Sequence, residues 1–171
     1  MLVQASGATL ILGASIMWGV YMSAKNHFRL KDLREMKRAF GVLMSEIDYG
    51  QSPLSEAAFN VATKCSDPVY AIFSDFAQGL LGKVDVYELW NKAINENSEV
   101  SYFSAEDLEI FKSFGKTLGY LDREMQLRNI EMQLDYINMK IDELEKTKVK
   151  ARKMYLSLGA LGGLMTIILL I

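Results

Sequence analysis

All 19 Lys and Arg and all 21 Asp and Glu of this 171-residue chain fall between Lys25 and Lys153. The two ends carry no charge at all, whereas the middle is charged densely enough to need water. That asymmetry predicts a water-exposed body held in a bilayer by both ends.

Val3 to Ala24 supplies 22 uncharged residues, about 33 Å as a helix against a hydrocarbon core of about 30 Å. Met154 to Ile171 supplies 18, about 27 Å, near the lower limit for a crossing. A cleaved secretory signal fits the first segment poorly, because no Lys or Arg precedes the apolar run and the run exceeds the usual length. The expected division is a transmembrane helix over 1–24, a helical body over 25–153 and a transmembrane helix over 154–171.

Basic residues close to a span stay on the cytoplasmic side. Lys25, Arg29, Lys31, Arg34, Lys37 and Arg38 flank the first span, and Lys146, Lys148, Lys150, Arg152 and Lys153 flank the second. Residues 39–145 between them hold 8 basic and 19 acidic side chains. An acidic body on a basic collar is expected to face the cytosol. The collar would lie on anionic headgroups at about 1 kcal/mol per basic residue. An acidic body also argues against nucleic acid, which selects a basic face.

Catalytic and metal chemistry find little support. With one cysteine, Cys65, and one histidine, His27, neither an internal disulfide nor a Cys/His zinc site can form. Both residues are expected toward the membrane, but no orienting or oxyanion group accompanies them as a nucleophilic dyad would require. Gly79-Leu-Leu-Gly82-Lys83 lacks the glycine spacing and the Ser/Thr of a phosphate loop. Glu106, Asp107 and Glu109 are better read as an acidic first helical turn than as an acid/base pair. No cofactor is expected.

Two prolines, no alternating apolar runs and frequent turn signals predict an all-α body. Six helices fit. The first, about Leu30 to Asp48, has Leu33, Met36, Lys37, Phe40, Leu43, Met44 and Ile47 on one stripe, with Lys37 snorkelling. Ser52-Pro53 caps the second, which buries Leu54, Ala57, Ala58 and Val61. Asp67-Pro68 caps the third through Ile72, Phe73 and Phe76. The fourth runs from Asp85 to Glu96 around Trp90, and Ser104 with Asp107 opens the fifth. The sixth follows an Asp122 cap and repeats Leu127, Ile130, Leu134, Ile137, Ile141 and Leu144 at heptad spacing.

Short turns predict an antiparallel six-helix bundle between the two transmembrane helices. With the first and last helices both rooted in lipid, the turns at 48–53, 82–85 and 115–122 fall at the far end. The turns at 65–68 and 97–104 return toward lipid, which brings Asp67, Glu96 and Glu99 uncomfortably close to anionic headgroups.

The segment Phe40-Gly-Val-Leu-Met-Ser-Glu46-Ile-Asp-Tyr49-Gly50-Gln-Ser-Pro53-Leu-Ser-Glu56-Ala57 resembles the helix-turn-helix of F-type platform domains in type II secretion and type IV pilus systems. It is more similar still to the stage III sporulation protein AB family. Leu118-Gly119-Tyr-Leu-Asp122-Arg-Glu-Met-Gln126 and Tyr155-Leu-Ser-Leu158-Gly159-Ala-Leu-Gly162-Gly163-Leu164 extend that likeness along nearly the whole chain. Arg29 to Asp32 departs from it in lacking a proline at the entry to the first helix. The resemblance implies a non-enzymatic assembly platform in the secretion-like channel between mother cell and forespore during endospore formation. It would sit in the mother-cell membrane around the forespore. The implied partners are the sporulation ATPase, stage III sporulation protein AA, and the other membrane subunits.

Glu46, Tyr49, Gly50, Pro53, Gly119 and Asp122 should converge at the far end as a docking site. Four of the six also have capping duties, so Glu46 and Tyr49 carry that expectation. Gly159 and Gly163 permit close helix contact in lipid, and pairing of the two spans and contacts in a homo-oligomer stay open as readings. A two-span membrane sensor is the alternative function, but it would ordinarily add a signalling domain.

Overall fold

A computed structural model of the chain holds six α-helices: α1 (Leu2–Tyr49), α2 (Leu54–Thr63), α3 (Val69–Gly79), α4 (Val86–Glu96), α5 (Ala105–Gly115) and α6 (Arg123–Leu170). Side chains are described for residues 25–49, 53–82, 85–118 and 122–147. The proposed spans, Val3–Ala24 and Met154–Ile171, lie outside these. So do Gly50, Gly119, Lys148, Lys150, Arg152, Lys153, Gly159 and Gly163. Among the described residues there is no strand, and no helix is long and apolar enough to cross a membrane.

The six helices expected of the body are all present, and α1 and α6 extend beyond it instead of giving way to further helices. There are six helices in all, because α1 and α6 each run for 48 residues without a break. The physical reason lies at the junctions: Lys25 to Leu30 and Lys146 to Lys153 contain no Gly or Pro, so nothing ends the helix where charge begins.

Each helix packs against its neighbours in sequence, and α1 closes the ring by packing against α6, with α3 also touching α1. The α1 and α6 pair is antiparallel, tied by Arg34 to Glu145 at 2.6 Å near one end and Arg123 to Asp48 at 2.7 Å near the other. The core is aromatic. Trp90 is fully buried, ringed edge-on by Phe73, Phe76 and Phe114 with centroids 5.2 to 5.6 Å away. Its indole Nε1 donates to the Phe111 carbonyl at 2.7 Å, so the one polar atom of the ring is satisfied where water cannot reach. Phe40 joins α1 to this cluster through Phe114 at 4.9 Å. Ile130 and Ile137, at the centre of the heptad seam, are fully buried against it.

Local signals mostly hold: Asp122 accepts from the Met125 amide, and Ser104 and Asp107 form a reciprocal capping box. Asp85, expected only as the start of α4, proves to cap it, accepting from the Tyr87 and Glu88 amides. Three expectations fail. The cap position of α2 falls on Pro53, with no side-chain cap bond, and Ser52 lies outside the described residues. Lys37 is exposed rather than snorkelling, because the buried stripe of α1 passes through Met36, Ala39 and Phe40. Asp67 does not cap α3, whose cap position falls one residue later on Pro68, a side chain with no acceptor.

Candidate functional site

The far end of the bundle is where α1 stops and α6 starts. Arg123 Nη2 donates to the Asp48 carboxylate and also to the Asp48 carbonyl, one of the last four carbonyls of α1 as α6 begins. This joins the two segments that the sequence placed together. Tyr49, next along, is 88 % exposed, and Pro53 and Asp122 are also exposed. Glu46 is half-buried and within 3.8 Å of Lys64 Nζ. Of the six proposed docking residues, Glu46, Tyr49, Pro53 and Asp122 are therefore described. Tyr49 is the large side chain there without a packing duty.

The opposite end holds a cluster that sequence reasoning missed. Asp107 is fully buried beneath α1 and α6. Arg29 Nε donates to its Oδ2 at 2.8 Å and Arg29 Nη2 to its Oδ1 at 2.9 Å. The Tyr136 hydroxyl adds a bond to Oδ1 at 2.9 Å and the Ser104 amide one to Oδ2 at 2.8 Å. Arg29 Nη2 also donates to Ser104 Oγ, so a planar fork meets a carboxylate with every acceptor engaged. Burial pushes the Asp107 carboxyl up, but the Arg29 fork, the Ser104 amide and Tyr136 outweigh it and hold the carboxyl below its ordinary range. The Arg29 guanidinium is pushed up, chiefly by its hydrogen bond to Asp107. Burial and the bond to Asp107 push the Tyr136 phenol up as well. Such a cluster clamps three helices together and holds its protons firmly.

The sequence places Arg29 in the headgroup collar and Asp107 in an acidic first helical turn. Their side chains face each other instead. The local signal for Asp107 was the capping box, but Arg29 is 78 residues away, and nothing in its surroundings marks a buried partner. Lys25, Lys31 and Lys146 are exposed, and Arg34 reaches Glu145 on the surface. His27, Lys31, Arg34 and Arg38 line a shallow groove beside Glu35 and Glu145.

Two turns meet α1 at this end. Glu35 accepts from the Ser66 amide at 3.0 Å and Asp32 from the Tyr102 amide at 2.8 Å. The 65–68 and 97–104 turns thus lie beside the start of the body, opposite the Asp48–Arg123 end. Cys65 faces the Glu35 carbonyl, and burial pushes its thiol up to about 11, which removes the thiolate a nucleophile needs. No group of three or more His, Cys, Asp or Glu among the described residues could hold a metal ion.

The comparisons with known proteins agree with one another. The family model described as stage III sporulation protein AB matches residues 4–171. The chain is 31 % identical over 165 residues to stage III sporulation protein AB of Bacillus subtilis (strain 168), covering 96 % of each. A solved structure of stage III sporulation protein AB (SpoIIIAB) superposes with a TM-score of 0.67 at 27 % identity, covering 72 % of this chain and 98 % of that one. On sequence and on fold alike, the chain belongs to the stage III sporulation protein AB family.

Proposed function

We propose that the protein is a non-enzymatic assembly platform of the channel joining mother cell and forespore, anchored by its uncharged ends in the mother-cell membrane around the forespore. The body faces the mother-cell cytosol and presents its Asp48–Arg123 end to the sporulation ATPase, stage III sporulation protein AA, and to the other membrane subunits. The observation that carries this reading is the continuity of α1 and α6 from the charge-free termini to that end. Two helices rooted in lipid and tied together at their far tips form a stalk, and a stalk with an exposed Tyr49 at its tip suits docking.

The test is co-purification. The full chain, carrying an affinity tag and solubilised from membranes, is expected to retain the co-expressed ATPase, and the ATPase is expected to remain in the soluble fraction when the chain is absent. An ATPase that never co-purifies, with or without the other membrane subunits present, would refute the platform reading.

A further inference from the structure

Three exposed apolar side chains gather beside the start of the body: Phe28, Val100 and Tyr102 are 43, 68 and 41 % exposed. Phe28 and Tyr102 stack with centroids 4.8 Å apart, and the Tyr102 amide is held by Asp32. With Lys31 and Pro68 they line a groove of about 410 Å³. Phe28 also sits on the same unbroken helix as the uncharged segment, only about 6 Å of helical rise beyond Ala24.

We propose that the loop between α4 and α5 rests on the bilayer, with Val100 and the stacked Phe28–Tyr102 pair seated at headgroup level as a foot that sets the height and tilt of the body. The inference rests on the two-span reading. Where Ala24 leaves the hydrocarbon, Phe28 is carried to the interface, and Tyr102 and Val100 are carried with it because the loop is fastened to α1. Aromatic rings with one wet edge favour that layer. The exposed acids Asp67 and Glu99 lie beside the foot and offset the nearby basic Lys25 and Lys31, so the contact we assign to the foot is apolar rather than electrostatic. It persists in vesicles of phosphatidylcholine alone and at high salt, where a basic collar loses its hold.

Spin labelling of the full chain tests this. Single cysteines at Val100→Cys, at Leu81→Cys in the far turn (83 % exposed) and at Leu12→Cys in the uncharged segment are made in a Cys65→Ala background. Each is labelled with a nitroxide and reconstituted in phosphatidylcholine vesicles. Relative accessibility to oxygen and to a nickel chelate reads depth. The expected order is position 12 deepest, position 100 intermediate and several-fold more shielded from nickel than position 81, unchanged by high salt. A label at 100 as accessible to nickel as that at 81, with 12 still in lipid, overturns the foot and leaves the anchors standing. A label at 12 open to nickel overturns the two-span reading and the foot with it.

Discussion

Arg29 grips Asp107 with two parallel bonds of 2.8 and 2.9 Å, across 78 residues of sequence. The carboxylate has no contact with water, whereas 19 % of the Arg29 side chain does. Removing one partner of a buried pair strands the other, at 3 to 5 kcal/mol in general. Partial exposure of Arg29 puts Asp107→Ala at the lower end, about 3 kcal/mol. Denaturant unfolding followed by circular dichroism measures it as a lower midpoint with an unchanged slope. A loss below about 1 kcal/mol, the range of surface pairs, would show that the clamp does not hold the helices.

Acid should release the same clamp. The folded carboxyl of Asp107 sits below its unfolded value of about 3.9, so the native state binds fewer protons. Its contribution is present above that value and is lost as pH falls through the folded one. The stability gap between the native chain and Asp107→Asn should therefore be constant near neutrality and close below about pH 4. Asp32 runs the other way: burial pushes its carboxyl up despite the bond from the Tyr102 amide. It favours folding when protonated and weakens it as pH rises. Asp32→Asn, which keeps an acceptor for Tyr102, should leave stability at neutral pH equal or higher.

Gly115 and Gly41 should respond in opposite directions. A Cβ on Gly115 would meet Trp90 Cδ1 at 2.5 Å, and the indole is pinned by its bond to Phe111. Gly115→Ala is expected to cost about 1 to 3 kcal/mol as overpacking. A Cβ on Gly41 meets nothing within 4 Å, and the residue lies inside α1. Gly41→Ala should stabilise by about 0.5 to 1 kcal/mol through backbone entropy alone. Thermal melts of the two variants provide the check.

The docking end can be separated from the fold. Tyr49 is almost fully exposed and buries nothing, so Tyr49→Ala should change stability by no more than about 0.5 kcal/mol. If the end docks the ATPase, the same variant should retain several-fold less of it on co-purification. Glu46→Ala, losing only a 3.8 Å contact to Lys64, should behave likewise. Undiminished capture and undiminished spore yield in both folded variants would move the docking surface elsewhere.

Local chemistry was the legible part of this protein. Capping residues such as Ser104 and Asp122 act within three positions, and the heptad of Ile130 and Ile137 repeats along one face, so each leaves its mark in a short window. Trp90 is readable as an anchor because a large apolar ring at helical spacing has few other uses. The Arg29–Asp107 clamp is illegible for the converse reason: an arginine near a membrane boundary looks the same whether it turns to lipid or to a buried carboxylate. Lys37 stands beside the stripe of Met36 and Phe40, one residue of helical rotation away from the core, so helical spacing alone does not separate it from the buried face. At Lys25 and Lys146 composition changes without a break in the helix, because helix geometry responds to glycine, proline and caps, not to polarity.

The unbroken course of α1 has a mechanical consequence. From Lys25 to Tyr49 the helix rises about 36 Å, braced by α6, without a break between the uncharged segment and the tip. A tilt of about 10° at the lipid boundary would sweep the tip sideways by about 6 Å over that rise. On the two-span reading proposed above, torque on the anchors would reach whatever engages Tyr49 as displacement, with no rearrangement of the core.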